Sequence, residues 1–134
     1  MPDKRVEAVV NDEFLKELFP PERADEFFEA LYGGAEAGAF DISLRYNGFN
    51  SDRNLLLLDF RLTERPGKCL ACNLTFGLPE VFKRHPVINV QGIVDAVQQA
   101  LAPDWKVREW FIGNTEVISP EENSIPLVLA LVPG

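Results

Sequence analysis

The sequence predicts a two-layer α+β domain, with a mainly antiparallel sheet of about five strands and helices packed on one face. Three observations carry that prediction. Residues 24–31 place apolar side chains at helical spacing. Residues 40–76 alternate apolar and polar side chains at a spacing of two. The run Ile125–Val132 is nearly all apolar.

Taken in order, the first helix is announced by Asn11, an N-cap type followed by Asp12 and Glu13 in the first turn. Pro20-Pro21 ends it and opens a second helix, in which Ala24, Phe27, Phe28 and Leu31 fall on one stripe; Gly33-Gly34 stops that helix. The segment 35–39 is a short connector. Phe40, Ile42, Leu44 and Tyr46 then alternate with Asp41, Ser43, Arg45 and Asn47, the pattern of a half-buried strand. Turn formers fill 47–54. Leu56, Leu58, Phe60 and Leu62 give the apolar face of a second strand, and Leu70, Cys72, Leu74 and Phe76 that of a third. Matching these faces puts Leu44 opposite Leu58 and Asp41 opposite Arg61. A two-residue Pro66-Gly67 turn would pair Phe60 with Asn73 and reverse the faces, so a bulge or odd-numbered loop with Phe60 opposite Cys72 is expected instead.

Pro79–Phe82 reads as one helical turn before His85-Pro86. A stronger helix starts from Asn89 as cap, with Val90, Ile93, Val94, Val97 and Leu101 on one stripe and Pro103-Asp104 as its end. Trp105–Ile112 follows as a fourth strand, Gly113-Asn114 as a turn, Thr115–Ile118 as a short strand and Ser119–Glu122 as a loop. The last run, Ile125–Val132, needs cover on both faces or pairing in an interface. The predicted order is α-α-β-β-β-α-β-(β)-β, in a single domain over 1–134.

Composition narrows the function classes. The chain has 134 residues, 46% apolar and 25% charged, with a net charge of −8. Nucleic acid and anionic membranes both require basic surface, so neither is expected as the main partner. The charge is uneven. Residues 1–36 carry ten acids and four bases, residues 37–88 five and seven, and residues 89–134 six and two. Local basicity therefore lies in the predicted meander. The longest apolar run is far shorter than the roughly 20 residues of a membrane span. The first ten residues lack a signal-peptide core, and two cysteines are too few for a disulfide-built fold. A cytoplasmic protein is expected.

Motifs with chemical meaning are few. Cys69-Leu-Ala-Cys72 falls in a strand pattern, where three residues span about 10 Å. A disulfide needs Cα atoms within about 7 Å, so a redox pair is disfavoured. With His85 the spacing becomes C-x2-C-x12-H, making Cys69, Cys72 and His85 weak metal candidates. Structural zinc needs four ligands and only an acid such as Glu80 could complete the set, so no metal site is expected. His85 is also the one neutral-range general base, but no nucleophile motif accompanies it. The Gly33-Gly34…Gly38 run follows a helix instead of a strand, so it is no phosphate loop and no cofactor is expected. Residues 21–101 share the element order of a double-stranded-RNA-binding domain, but the segment of its last helix carries one acid and no base, which excludes that reading.

The outer face of the meander is the candidate partner-binding surface: Arg45, Asp59, Arg61 and Asn73, with Asp41, Ser43 and Thr75 beside them. Leu55 and Leu57 on the same face imply partial cover. In element order, size and acidity the chain resembles class I type III secretion chaperones, small acidic α/β dimers that bind extended effector segments. It departs from them in closing with a strand, Ile125–Val132, where they close with a helix. The reading that results is a non-enzymatic binding or adaptor domain. It would act on another protein or peptide through a sheet surface or an apolar strand edge, with a homodimer as one arrangement open to it. The alternatives are a small enzyme or ligand-binding protein with a pocket between helices and sheet, using His85 with a cysteine or carboxylate, and a secretion-chaperone-like peptide binder.

Overall fold

The computed structural model describes residues 2–32, 40–68 and 77–134. In chain order the elements are α1 (Pro2–Val9), α2 (Asp12–Leu18), α3 (Glu22–Tyr32), β1 (Phe40–Asn50), β2 (Leu55–Glu64), α4 (Leu78–Arg84), α5 (Val90–Leu101), β3 (Trp105–Ile112), β4 (Glu116–Ser119) and β5 (Glu122–Pro133). The fold class is the expected one, an open antiparallel sheet of five strands with helices on one face.

Local signals place most helices. The Asn11 side chain accepts the Phe14 N–H at 3.0 Å and so caps α2. Asn89, at φ 49°, accepts the Gly92 N–H at 3.2 Å and caps α5. Val90, Ile93, Val94, Val97 and Leu101 are the buried face of α5, as their spacing requires. The helix α1 was not expected, because residues 2–9 carry four charges and little apolar periodicity. It contributes the buried side chain of Val6, followed by buried Val10.

The sheet runs β1-β2-β5-β3, with β4 also paired to β5. Two register expectations are corrected. Leu44 lies opposite Phe60 instead of Leu58, and Asp41 opposite Thr63 instead of Arg61. The reason is local. β1 runs on to Asn50 through a bulge between Tyr46 and Gly48, where Gly48 takes φ +132°, and this moves the turn to 51–54. A shift of two keeps every side chain on its predicted face. The second correction is topological. β2 is paired on both edges, by β1 and by β5, so Phe60 faces Ile125 and has no place for Cys72. The third strand expected over Leu70–Phe76 lies outside the described residues.

Strand β5 is central. Leu55–Thr63 of β2 pair along one edge, and β3 and β4 pair in tandem along the other. Ile125, Leu127, Leu129 and Leu131 point to the helices and are buried, as are Leu56, Leu58, Phe60 and Leu62 of β2. Between sheet and helices runs a chain of edge-to-face rings. Phe40 meets Phe28, Phe28 meets Phe27, Phe27 meets Phe82, Phe82 meets Phe60 and Phe60 meets Phe19, with centroids 4.8–5.6 Å apart. Phe27, Phe82 and Phe60 are fully buried, and Phe60 is the ring through which β2 joins the chain. Replacing Phe60→Ala is expected to cost about 3–5 kcal/mol of stability, read as a lowered urea midpoint with unchanged slope. A loss under about 1 kcal/mol would show that the ring chain does not hold the two layers together.

Candidate functional site

The helix-free face of the sheet holds Arg45, Asp59 and Arg61 of the residues singled out from the sequence. Asp59 does not lie on a solvated surface there: it is 1% exposed. Its Oδ2 accepts from Arg61 Nε at 3.0 Å and from Ser124 Oγ at 2.7 Å, while Arg61 Nη1 donates to Glu122 Oε1 at 2.8 Å. Asp59 Oδ1 has no hydrogen-bond partner among the described residues. Burial works against the Arg61 charge, but the hydrogen bonds and fields of Asp59 and Glu122 outweigh it and hold the guanidinium pKa above its ordinary value. Asp59 and Arg61 belong to β2, Ser124 and Glu122 to β5. The cluster joins two central strands, and its cation is already committed.

Beside it the face is apolar. Leu57 lies opposite Val128, and Val128 opposite Phe111, which is 48% exposed. Val117 and Ile118 of β4 are more than half exposed.

Arg45 differs from Arg61. It is opposite Asp59 in the β1–β2 register, yet it is exposed, and its Nε donates only to Ser43 Oγ at 3.3 Å. Arg45 also lines a groove of about 470 Å³ along the edge of β1 that pairs with no strand among the described residues. The opposite wall is α2 and its exit, with Asp12, Lys16, Phe19 and Pro21; Asp41, Ser43 and Thr63 continue the β-sheet side, and Ile42 and Leu44 form the floor. This volume is within the usual range for ligand sites.

The backbone geometry of that edge follows from the ladder. In antiparallel pairs successive residues turn their N–H and C=O groups to opposite edges. The Tyr46 N–H points away from β2 and donates to Asp12 Oδ1 at 2.9 Å. Leu44 and Ile42, two and four residues earlier in the same unbroken register, therefore turn their main-chain groups toward the groove. The other sheet edge is treated differently. Gln98 of α5 accepts the Val107 N–H at 3.1 Å, Gln91 accepts Trp110 Nε1–H at 3.2 Å, and a bulge interrupts β3 between Val107 and Glu109. Side chains and a bulge of this kind guard a strand edge against stray pairing.

The remaining candidates are quickly placed. His85 is the C-cap of α4, with its ring edge-to-face on Phe27 at 4.9 Å. Its Nδ1 accepts the Val87 N–H at 3.2 Å, which fixes the neutral ring's own proton on Nε2. It lines a separate shallow surface with Glu80, Val81, Arg84 and Pro86. Asn73, Cys69 and Cys72 lie outside the described residues. No group of three or more His, Cys, Asp or Glu side chains suited to a metal occurs among the described residues, and no helix among them is long and apolar enough to cross a membrane. Sequence reasoning missed Asp12, Lys16 and Phe19 as parts of a site. They read as ordinary first-turn, surface and core positions of α2, and only the docking of α2 along β1 gives them a common purpose.

Compared with protein-family profiles, curated proteins and solved structures, the chain matches none.

The Asp59–Arg61 cluster generates a stability prediction. Arg61→Leu should cost about 2–3 kcal/mol, because it strips a charge partner from a buried carboxylate, the cost being moderated by the access Arg61 has to water. The double variant Asp59→Leu/Arg61→Leu should lose less than the two single losses added together. Additive losses in urea titrations would show that the two side chains act independently.

Proposed function

We propose that this domain binds another protein by receiving an extended segment of it along the β1 edge, in the groove between β1 and α2. The observation that carries the reading is the orientation of Ile42 and Leu44. Their main-chain groups face a groove of about 470 Å³ at an end strand of the sheet. A strand added at such an edge gains main-chain hydrogen bonds, while pockets for alternate side chains supply selectivity. Ile42 and Leu44 are themselves only 1% and 2% exposed, so an arriving segment must displace what covers this edge before it can bond there.

Two further features support this position over the opposite edge. The groove combines an apolar floor with polar walls, the composition expected of a recognition site. The β3 edge is occupied by Gln91 and Gln98 and broken by a bulge, so fewer of its main-chain groups can receive a partner. Asp12 sets one limit of the site. By accepting the Tyr46 N–H it ends the available stretch, leaving about three residues of β1 for pairing.

The test is a selection of random ten-residue segments displayed on phage, followed by titration of a recovered segment into isotope-labelled protein. Amide shifts concentrated at Ile42, Leu44 and the adjoining turns of α2 are the expected result. Shifts concentrated at Phe111, Val117 and Ile118, or no recovered segment, would overturn the proposal.

A further inference from the structure

We infer that the helix-free face of the sheet is an interface, and that its partner is the same face of a second copy of this chain, related by a two-fold axis along the strands. The inference stands apart from the groove reading: it uses the face of the sheet instead of the β1 edge, and its occupant is not an extended segment.

The register fixes how the outward side chains are laid out. One row across the sheet reads Gly48, Leu57, Val128 and Phe111, and the next reads Asn50, Leu55, Ala130 and Glu109. The centre of the face is therefore apolar across β2 and β5, and Phe111 continues it onto β3. Phe111 is 48% exposed, a ring that this chain leaves uncovered. A two-fold interface has to be complementary to itself. An axis along the strands, between β2 and β5, lays β2 over β5 and β1 over the β3–β4 tandem, so each row falls on itself in reverse order. Phe111 of each copy then lands on Gly48 of the other, where nothing lies within 4 Å of a Cβ position. Leu55 lands on Ala130, again large on small, and Leu57 on Val128, apolar on apolar. Two sheets packed in this way sit about 10 Å apart with their strands nearly aligned.

Charge obeys the same operation. Asp59, Arg61 and Glu122 are bonded to one another, and two exposed charges flank that cluster, Arg45 on β1 and Glu116 on β4. Neither has an ion pair among the described residues. The axis carries Arg45 of one copy over the β4 side of the other. There it stands two residues, about 6.7 Å, along the strands from Glu116, within the combined reach of the two side chains. Symmetry supplies the pair twice. The acids of α2 and α3 lie in the far layer of each copy, beyond the roughly 8 Å over which exposed charges act at physiological salt, so the net charge of −8 does not forbid the approach. Four strands by five outward rows present a plane of roughly 500 Å² per copy. That is the low end for specific interfaces, so the dimer expected is a micromolar one in exchange with monomer.

Sedimentation velocity of the full chain, from micromolar to millimolar concentration, tests the inference. The weight-average mass is expected to rise with concentration from that of one chain toward that of two. Phe111→Glu, at an exposed position and with native circular dichroism, should weaken association at least tenfold. Arg45→Glu and Glu116→Arg should each weaken it several-fold. The exchanged double variant Arg45→Glu/Glu116→Arg should recover most of that loss, a rescue that only charges meeting across the interface would give. A monomer throughout the range, a dimer indifferent to Phe111→Glu, or a double variant that associates no better than the single ones would each overturn the inference.

Discussion

The strand β5 must be paired on two edges and covered on its helix-facing side, and the rest of the structure is arranged around that requirement. It arrives last in the chain yet lies between β2 and the β3–β4 tandem. The sheet is therefore complete only when the C-terminal residues have inserted. Pro126 shows how closely the neighbours are fitted to it. Its missing N–H would face the β3–β4 side, where its carbonyl accepts the Gly113 N–H at 2.9 Å. The chain opposite breaks at that point, between Ile112 and Glu116. A Cβ at Gly113 would stand 3.3 Å from the proline ring, close enough that the ring would have to give by a few tenths of an ångström. The proline thus explains why one long edge strand is divided into two.

The second device that fixes β5 is electrostatic. A carboxylate 1% exposed on an open sheet face costs desolvation; Arg61 and Ser124 offset part of it, and Glu122 holds Arg61 in place across the β2–β5 boundary. Its value is in register. A slip of one residue would turn Asp59 into the phenylalanine core and carry Ser124 and Glu122 away from their partners. Apolar pairs such as Phe60–Ile125 penalise the same slip less, because Leu and Val would still find apolar surroundings.

What could be read from the sequence follows from how local each signal is. The stripe of α5, the Asn11 and Asn89 caps and the inward residues of β1 and β2 depend on neighbours within a few positions, and they were legible. So was the outer-face placement of Arg45, Asp59 and Arg61. The pairing of β2 with β5 joins residues about 65 apart, and alternation says nothing about which apolar strand lies next to which. For the same reason the meander expectation put Cys72 where Ile125 stands. The burial of Asp59 was illegible because alternation marks it as outward without saying that Ser124 and Pro126 would close against it. The groove needed the docking of α2, visible only once Asp12 reaches Tyr46.

The functional account depends on a difference between strands: β5 is paired on both edges, while among the described residues β1 is paired with a strand on one. Residue-resolved amide hydrogen exchange in the free protein tests it most directly. The account predicts that Leu127, Leu129 and Leu131 exchange only through global unfolding, while the amides of β1 that bond to β2, at Ser43 and Arg45, open at a lower free energy. If Ser43 and Arg45 are protected as strongly as Leu129, or if the β5 amides open first, the ranking of β5 as the firmly held strand and β1 as the weaker end strand is contradicted.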